Sequence, residues 1–149
     1  MTPSDRPLHG APFLPTRLHP KLYAAEFVGT ALLVGVGVSV VVVMFGQGSP
    51  VPGLLPNPGL RRFLTGGLFG AVAALIAVST LGRISGAHIN PAVTLAFWLK
   101  GKLAWRDAVG YASAQIAGGV AGALALLGWG STGRSVDLGV TLPGAGVSA

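Results

Sequence analysis

Long apolar runs separated by short polar segments are the dominant pattern along this chain. A helix that spans a bilayer needs about 20 mostly apolar residues. Three stretches reach this length, at about residues 22–45, 63–81 and 108–129. The sequence between the first two, "GQGSPVPGLLPNPGLRR", is rich in Gly and Pro and is expected to form no regular element. The pattern therefore predicts three transmembrane helices.

A fourth apolar stretch is too short to cross the membrane. Pro91 suits the first turn of a helix, and Asn90 directly before it is a preferred N-cap residue. A helix over residues 91–99 would be about 13 Å long, whereas the hydrocarbon core is about 30 Å thick. The preceding segment, "GRISGAHIN", is expected to be a non-helical loop that dips into the membrane. Such backbone is tolerated at that depth only when it is buried in protein or lines a water-filled cavity, so we expect it to line one.

The composition supports a membrane protein of one domain. The chain has 149 residues, of which 51% are hydrophobic and only 9% are charged, against about 25% charged residues in soluble domains. The net charge is +6, but the basic residues flank apolar runs and form no stripe among aromatic residues, so nucleic-acid binding is not expected. The absence of cysteine excludes disulfides and thiolate metal sites, and no cofactor is expected.

The basic residues are divided unequally between the two sides of the predicted bundle. One side carries Arg6, Arg17, Lys21, Arg83, Lys100, Lys102 and Arg106, and the other carries Arg61, Arg62 and Arg134. The positive-inside rule therefore predicts that the N-terminus and the dipping loop face the cytoplasm, with the protein in the plasma or inner membrane. Residues 1–20 contain five prolines and are expected to form a flexible cytoplasmic tail. The apolar run that follows them is too long for the apolar core of a signal peptide.

The loop before Pro91 offers hydrogen-bonding groups that suit a neutral polar solute. The N-terminus of a half-helix carries about half a positive charge, which repels cations and attracts lone pairs. The amide of Asn90 adds two donors, and the backbone carbonyls of Gly86, Ala87, His88 and Ile89 are acceptors. Pore selectivity of this kind depends on diameter, lining groups and half-helix dipoles. The alternative is that Asn90 acts only as an N-cap.

Two polar residues within the predicted spans are candidates for supporting this loop. If the loop carbonyls face a pore, its N–H groups face the protein and need an acceptor, which Glu26 could provide. The alternative is that Glu26 snorkels towards the nearby membrane surface. For Gln115, a hydrogen bond between helices and a loop-supporting role are equally favoured.

Enzymatic chemistry is not expected, although Ser85 and His88 lie close in sequence. A hydrolytic triad needs an acid that orients the base, together with an oxyanion hole. The aspartates are predicted at or beyond the membrane surfaces, and a lone histidine makes a poor metal site.

Small residues recur at four-residue spacing in two of the predicted spans. Gly66 and Gly70 form one such pair, and Ala114, Gly118 and Gly122 form a longer series. Both series are typical of faces where helices pack closely in lipid.

Three segments resemble motifs of the aquaporin and aquaglyceroporin family. "SGAHINPAVT" (85–94) resembles the first Asn-Pro-Ala loop, "AEFVGT" (25–30) the first-helix motif, and "AQIAGGVAGA" (114–123) the third helix. The resemblance implies an all-α membrane fold with three transmembrane helices and one re-entrant Asn-Pro-Ala half-helix, which is half of an aquaporin fold. Residues 21–130 would form the first repeat, and residues 131–149 would be the remnant of an extracellular loop.

The resemblance also implies roles for individual residues. Asn90 would be one of two pore asparagines, and Pro91 and Ala92 would contact the second half-helix. Glu26 would brace the loop, and His88 would lie near the cytoplasmic entrance. Family members are tetramers in which each monomer has six spans and its own pore.

Only one of the two repeats is recognisable in this chain, which leaves three expectations open. The chain could be completed by another chain, be a truncated fragment that conducts nothing, or pair with itself in opposite orientation. The unequal division of basic residues argues against the last.

The expected function is passive flux of water or small neutral solutes such as glycerol, urea or metalloid acids. The filter position of the family lies twenty residues before the pore asparagine, which here is Gly70. Water- and glycerol-conducting members usually carry an aromatic residue there, so glycine implies a wider filter. A slip of one residue would place Phe69 at this position and reverse the inference.

Overall fold

A computed structural model describes residues 18–140, in which the regular structure is helical. Within these residues the α-helices are α1 (Pro20–Phe45), α2 (Val51–Leu54), α3 (Pro58–Val78), α4 (Thr80–Ser85), α5 (Pro91–Leu99), α6 (Trp105–Ala125) and α7 (Gly130–Arg134). Helices α1 and α3, and the stretch from α6 through α7, are long and apolar enough to cross a membrane. The predicted fold class, an all-α membrane protein with three long helices and one short one, is confirmed.

The spans differ from their predicted limits by a few residues. α1 begins at Pro20, inside the expected tail, and residues 1–17 of that tail lie outside the described residues. α6 begins at Trp105 and passes after Ala125 into a 3₁₀ turn, Leu126–Trp129. Trp129 connects this turn to α1, because its Nε1 donates to Ser39 Oγ at 2.9 Å. Of the expected loop remnant, residues 141–149 also lie outside the described range.

The expectation that residues 46–62 form no regular element was wrong. α2 is one helical turn, and α3 already begins at Pro58. Proline suits the first helical position because its missing N–H would have no partner there. Asn57 then caps the helix, accepting a hydrogen bond from the Leu60 N–H at 3.1 Å. Asparagine followed by proline is typical of loops, but here the two residues mark the start of a helix.

The second predicted span ends early, and a new helix follows it. The Ser79 hydroxyl donates to the Ile76 carbonyl at 2.6 Å and accepts from the Leu81 N–H at 3.2 Å, so Ser79 ends α3 and caps α4. α4 continues to Ser85, where Gly86 ends it with a φ of +86°. The segment expected to be non-helical from Gly82 is therefore helical in its first part, and the irregular loop is residues 86–90.

The predicted small-residue face of α6 packs directly on α1. A Cβ atom added at Gly118 would collide with the Phe27 carbonyl, and one added at Gly122 would collide with the Ala31 carbonyl. In lipid, such close approach replaces the hydrophobic driving force that joins helices in water. The α1–α6 pair is thus the framework on which the other elements are placed.

The small residues of α3 behave differently from those of α6. A Cβ atom added at Gly66 or Gly70 would meet nothing within 4 Å in residues 18–140. Phe69 instead packs its ring against Gly37 of α1. α3 therefore contacts α1 through Phe69, and its glycine pair lies on an open face, where the predicted packing has no partner among the described residues.

Candidate functional site

The short helix α5 begins and ends where the sequence predicts. Asn90 is extended, with φ of −157° and ψ of 127°, and its Oδ1 accepts a hydrogen bond from the Ala92 N–H at 2.8 Å. Pro91 occupies the first turn, and Asn90, Pro91 and Ala92 are all exposed. Because the cap uses only the oxygen, the amide nitrogen remains as a donor beside the helix N-terminus. Capping and solute binding are therefore compatible roles for Asn90.

The loop from Gly86 to Asn90 has an unusual backbone. Gly86, Ala87 and Ile89 have φ values of +86°, +48° and +40°. Positive φ is uncommon for residues other than glycine, and it is an outlier for a β-branched residue such as isoleucine. Each such residue costs about 1–3 kcal/mol and persists only where the surroundings impose it. The loop therefore needs strong contacts to hold it.

Glu26 of α1 supplies those contacts. Its Oε1 accepts a hydrogen bond from the His88 N–H at 3.0 Å, and its Oε2 accepts one from the Ile89 N–H at 2.6 Å. The side chain is 0% exposed. A buried carboxylate is tolerated when it is fully hydrogen-bonded, and this one accepts from two successive N–H groups of the loop. It does not snorkel to the surface, and its geometry is the one that a bracing role requires.

Gln115 of α6 connects three elements at this point. Its Nε2 donates to Glu26 Oε2 at 2.6 Å and lies 2.9 Å from Thr94 Oγ1 of α5. The Gln115 amide thus links α1 with α6 and also hydrogen-bonds to Glu26, which holds the loop. A bond between helices and support of the loop are therefore compatible roles for Gln115. Thr94 is 1% exposed and was missed by sequence reasoning. Its only sequence signal is its place one turn after Asn90, on the same face of α5.

The imidazole of His88 is buried rather than exposed along the loop. It is 8% exposed, and its Nδ1 lies 3.2 Å from Thr94 Oγ1. Its ring packs between Phe97, at 4.5 Å between centroids, and Tyr111, at 5.2 Å. Residue 88 can therefore line a pore only through its backbone carbonyl, since its ring faces the protein.

The first residue before the loop is held by Tyr111 of α6. The Tyr111 hydroxyl donates to the Ser85 carbonyl at 2.7 Å, and both residues are buried. The Ser85 hydroxyl accepts from the Ala87 N–H at 3.2 Å. Ser85 and His88 thus hydrogen-bond to different partners. Tyr111 was also missed by sequence reasoning, because nothing in the local pattern of α6 indicates a contact with a residue 26 positions earlier.

The sequence that forms this site matches a known protein family. The sequence profile of a family described as "Major intrinsic protein" matches residues 16–149.

The chain belongs to the major intrinsic protein family.

Several curated relatives of this major intrinsic protein have names that describe channels or facilitators. The probable aquaporin AqpM of Archaeoglobus fulgidus is 40% identical over 114 residues, covering 72% of this chain and 46% of the relative. The aquaglyceroporin AqpS of Rhizobium meliloti is 41% identical over 98 residues, covering 66% and 39%. The probable glycerol uptake facilitator protein of Thermotoga maritima is 39% identical over 106 residues, covering 69% and 41%.

The matches establish the family, and they also show how much of a relative is represented. The chain spans about half the length, or less, of the curated relatives it matches. The resemblance inferred from the Asn-Pro-Ala loop is confirmed, and this major intrinsic protein is a multi-pass membrane protein. The relatives are named as an aquaporin, an aquaglyceroporin and a glycerol uptake facilitator, so their names indicate no single solute.

Proposed function

We propose that this chain forms half of a channel for passive flux of water or small neutral solutes, and that it is not an enzyme. The observation that carries the proposal is the pair of hydrogen bonds from the His88 and Ile89 N–H groups to Glu26. In a trans peptide, N–H and C=O point in opposite directions, and no cis bond occurs in residues 18–140. The carbonyls of Ala87 and His88 are therefore directed away from Glu26.

These carbonyls and the end of α5 together make a polar path. The carbonyls accept hydrogen bonds, whereas the Asn90 amide nitrogen and the positive end of α5 attract the lone pairs of a solute. A molecule that both donates and accepts, such as water, glycerol, urea or an uncharged metalloid acid, matches this order of groups. A cation would be repelled at Asn90, so the path favours neutral solutes.

We further propose that a second repeat completes the pore. Pro91 and Ala92 are exposed at the tip of α5, and the matched relatives are about twice as long as the matched region. A second half-helix packing on these two residues would close the path on its open side. The completed unit would be a homotetramer in the plasma or inner membrane, with its N-terminus in the cytoplasm. The alternative is a non-conducting fragment or an assembly partner that needs a second chain.

Osmotic-shock light scattering on proteoliposomes tests the proposal. The chain is reconstituted alone and together with the second repeat of one of its relatives. We expect water flux above bare lipid only in the combined preparation. Asn90→Asp should reduce that flux at least about tenfold, corresponding to about 1.4 kcal/mol, because an ionised carboxylate only accepts hydrogen bonds. Flux from the chain alone would support self-pairing. No flux from two correctly inserted halves would favour the non-conducting alternative.

The proposed filter position gives a second test, on solute size. Gly70 lies on the open face of α3, where an added Cβ meets no atom within 4 Å among the described residues. In the combined preparation, Gly70→Phe is expected to lower glycerol and urea flux several-fold more than water flux, because it narrows the path. Gly67→Phe is the matched control, since a Cβ at Gly67 also meets nothing within 4 Å. An equal loss of flux for all solutes would show that Gly70 is not part of the filter.

A further inference from the structure

A cluster of polar side chains joins the beginnings of α1 and α6, outside the proposed path. Asp107, in the first turn of α6, is buried. Its Oδ1 accepts a hydrogen bond from the Tyr23 hydroxyl at 2.7 Å and lies 2.9 Å from His19 Nδ1. His19 directly precedes α1, and its side chain is 45% exposed. A solvent-accessible histidine is thus in contact with a buried carboxylate.

Aromatic contacts continue from this cluster to the loop. The rings of Tyr23 and Tyr111 meet edge to face, with 6.1 Å between centroids and an interplanar angle of 79°. Tyr111 in turn donates to the Ser85 carbonyl and packs against His88. The contacts therefore run without interruption from His19, through Asp107 and the two tyrosines, to the residues on which the loop begins.

We propose that Tyr111 is a positioning residue for the loop and that, through Asp107 and Tyr23, it couples the loop to the protonation state of His19. The Tyr111 hydroxyl holds the Ser85 carbonyl at the last residue before the strained backbone. Any shift of Tyr23 changes the packing of the Tyr111 ring, because the two rings are in direct contact. The consequence for flux rests on the proposed function, whereas the coupling within the chain does not.

The sign of the effect follows from the charges around His19. From α6 it faces the Asp107 carboxyl group, which also accepts the hydrogen bond of the Tyr23 hydroxyl from α1. Lys21 and Arg106 are the next cationic residues along α1 and α6, and the Arg106 guanidinium lies over the Trp105 ring. Protonated His19 forms an ion pair with Asp107, so the contact is strongest at low pH. The contact weakens when His19 loses its proton, because a neutral imidazole carries no charge to pair with the carboxylate.

Hydrogen exchange of the loop amides in lipid nanodiscs measures this coupling without any flux. The His88 and Ile89 N–H groups are bonded to Glu26, so their exchange reports opening of the loop. We compare the wild-type chain, His19→Gln, Tyr111→Phe and the double variant at about pH 5 and pH 8. Each ratio compares His19→Gln with His19 in the same Tyr111 background, so intrinsic exchange rates and the surroundings of His88 cancel within each pair.

We expect His19→Gln to raise loop exchange about two- to fivefold at low pH, the range of a partly exposed ion pair, and to have no effect at high pH. In the Tyr111→Phe background, the same substitution should change nothing at either pH. Asp107→Asn, which keeps a partner for Tyr23, should abolish the pH dependence as His19→Gln does. A ratio that is equal at both pH values, or that survives in Tyr111→Phe, overturns the proposal. An intact exchange pattern in a protein that conducts nothing would reject the channel function alone.

Discussion

Glu26→Gln is expected to lower the free energy of unfolding by about 1–3 kcal/mol and to release the loop. The carboxylate now accepts from three buried donors, the His88 and Ile89 N–H groups and Gln115 Nε2. A glutamine of the same shape has one acceptor oxygen, and its amide nitrogen would face donors. At least one donor then stays unpaired, at about 1–3 kcal/mol each. Removal of a buried charge offsets part of this loss.

Two measurements distinguish this loss from general damage to the fold. Denaturant unfolding in one detergent gives the change in stability, and hydrogen exchange at His88 and Ile89 reports the loop itself. The double variant Glu26→Gln/Gln115→Glu restores a carboxylate–amide pair between α1 and α6, so we expect it to recover stability more than loop protection. If loop exchange is unchanged in Glu26→Gln, the carboxylate does not hold the loop.

The elements that could be predicted from the sequence are those determined by local chemistry. Asn90 followed by Pro91 is a complete start signal for a helix, and the observed α5 (Pro91–Leu99) begins there. The three spans follow from apolar length alone. The need for an acceptor behind the loop was also foreseeable, because N–H and C=O point in opposite directions. That argument selects Glu26 as the only acidic residue within the described α1.

The features that could not be predicted depend on contacts distant in sequence or on signals with two meanings. Thr94 and Tyr111 take part in the site through partners on other elements, and no local pattern indicates either contact. Ser79 sits in an apolar run, where serine normally donates back to its own helix, yet here it also caps the next one. Pro58 is ambiguous in the sequence, because proline both breaks helices and begins them.

Strain and support in the loop are two parts of one arrangement. Positive φ values at Ala87 and Ile89 make the backbone turn sharply, which brings successive N–H groups to one carboxylate. Without that carboxylate the same backbone would be both strained and unpaired. The loop conformation therefore depends on how closely α1, which carries Glu26, packs against α6, which carries Gln115.

Gly118→Ala is accordingly expected to destabilise the protein by about 1–3 kcal/mol and to disturb the loop, although it adds only one methyl group. The new Cβ would collide with the Phe27 carbonyl, which is backbone and cannot rotate away. α1 and α6 would have to separate beside Glu26, weakening its bond from Gln115.

Gly119→Ala is the matched control, because its nearest neighbour is the Thr30 methyl group at 4.0 Å. Alanine is a better helix former than glycine by about 1 kcal/mol, so the control should be neutral or stabilised. Equal unfolding free energies for the two variants would show that the close contact of α1 and α6 at Gly118 does not contribute to stability. A loss in Gly118→Ala with unchanged exchange at Ile89 would show that the loop tolerates helix separation.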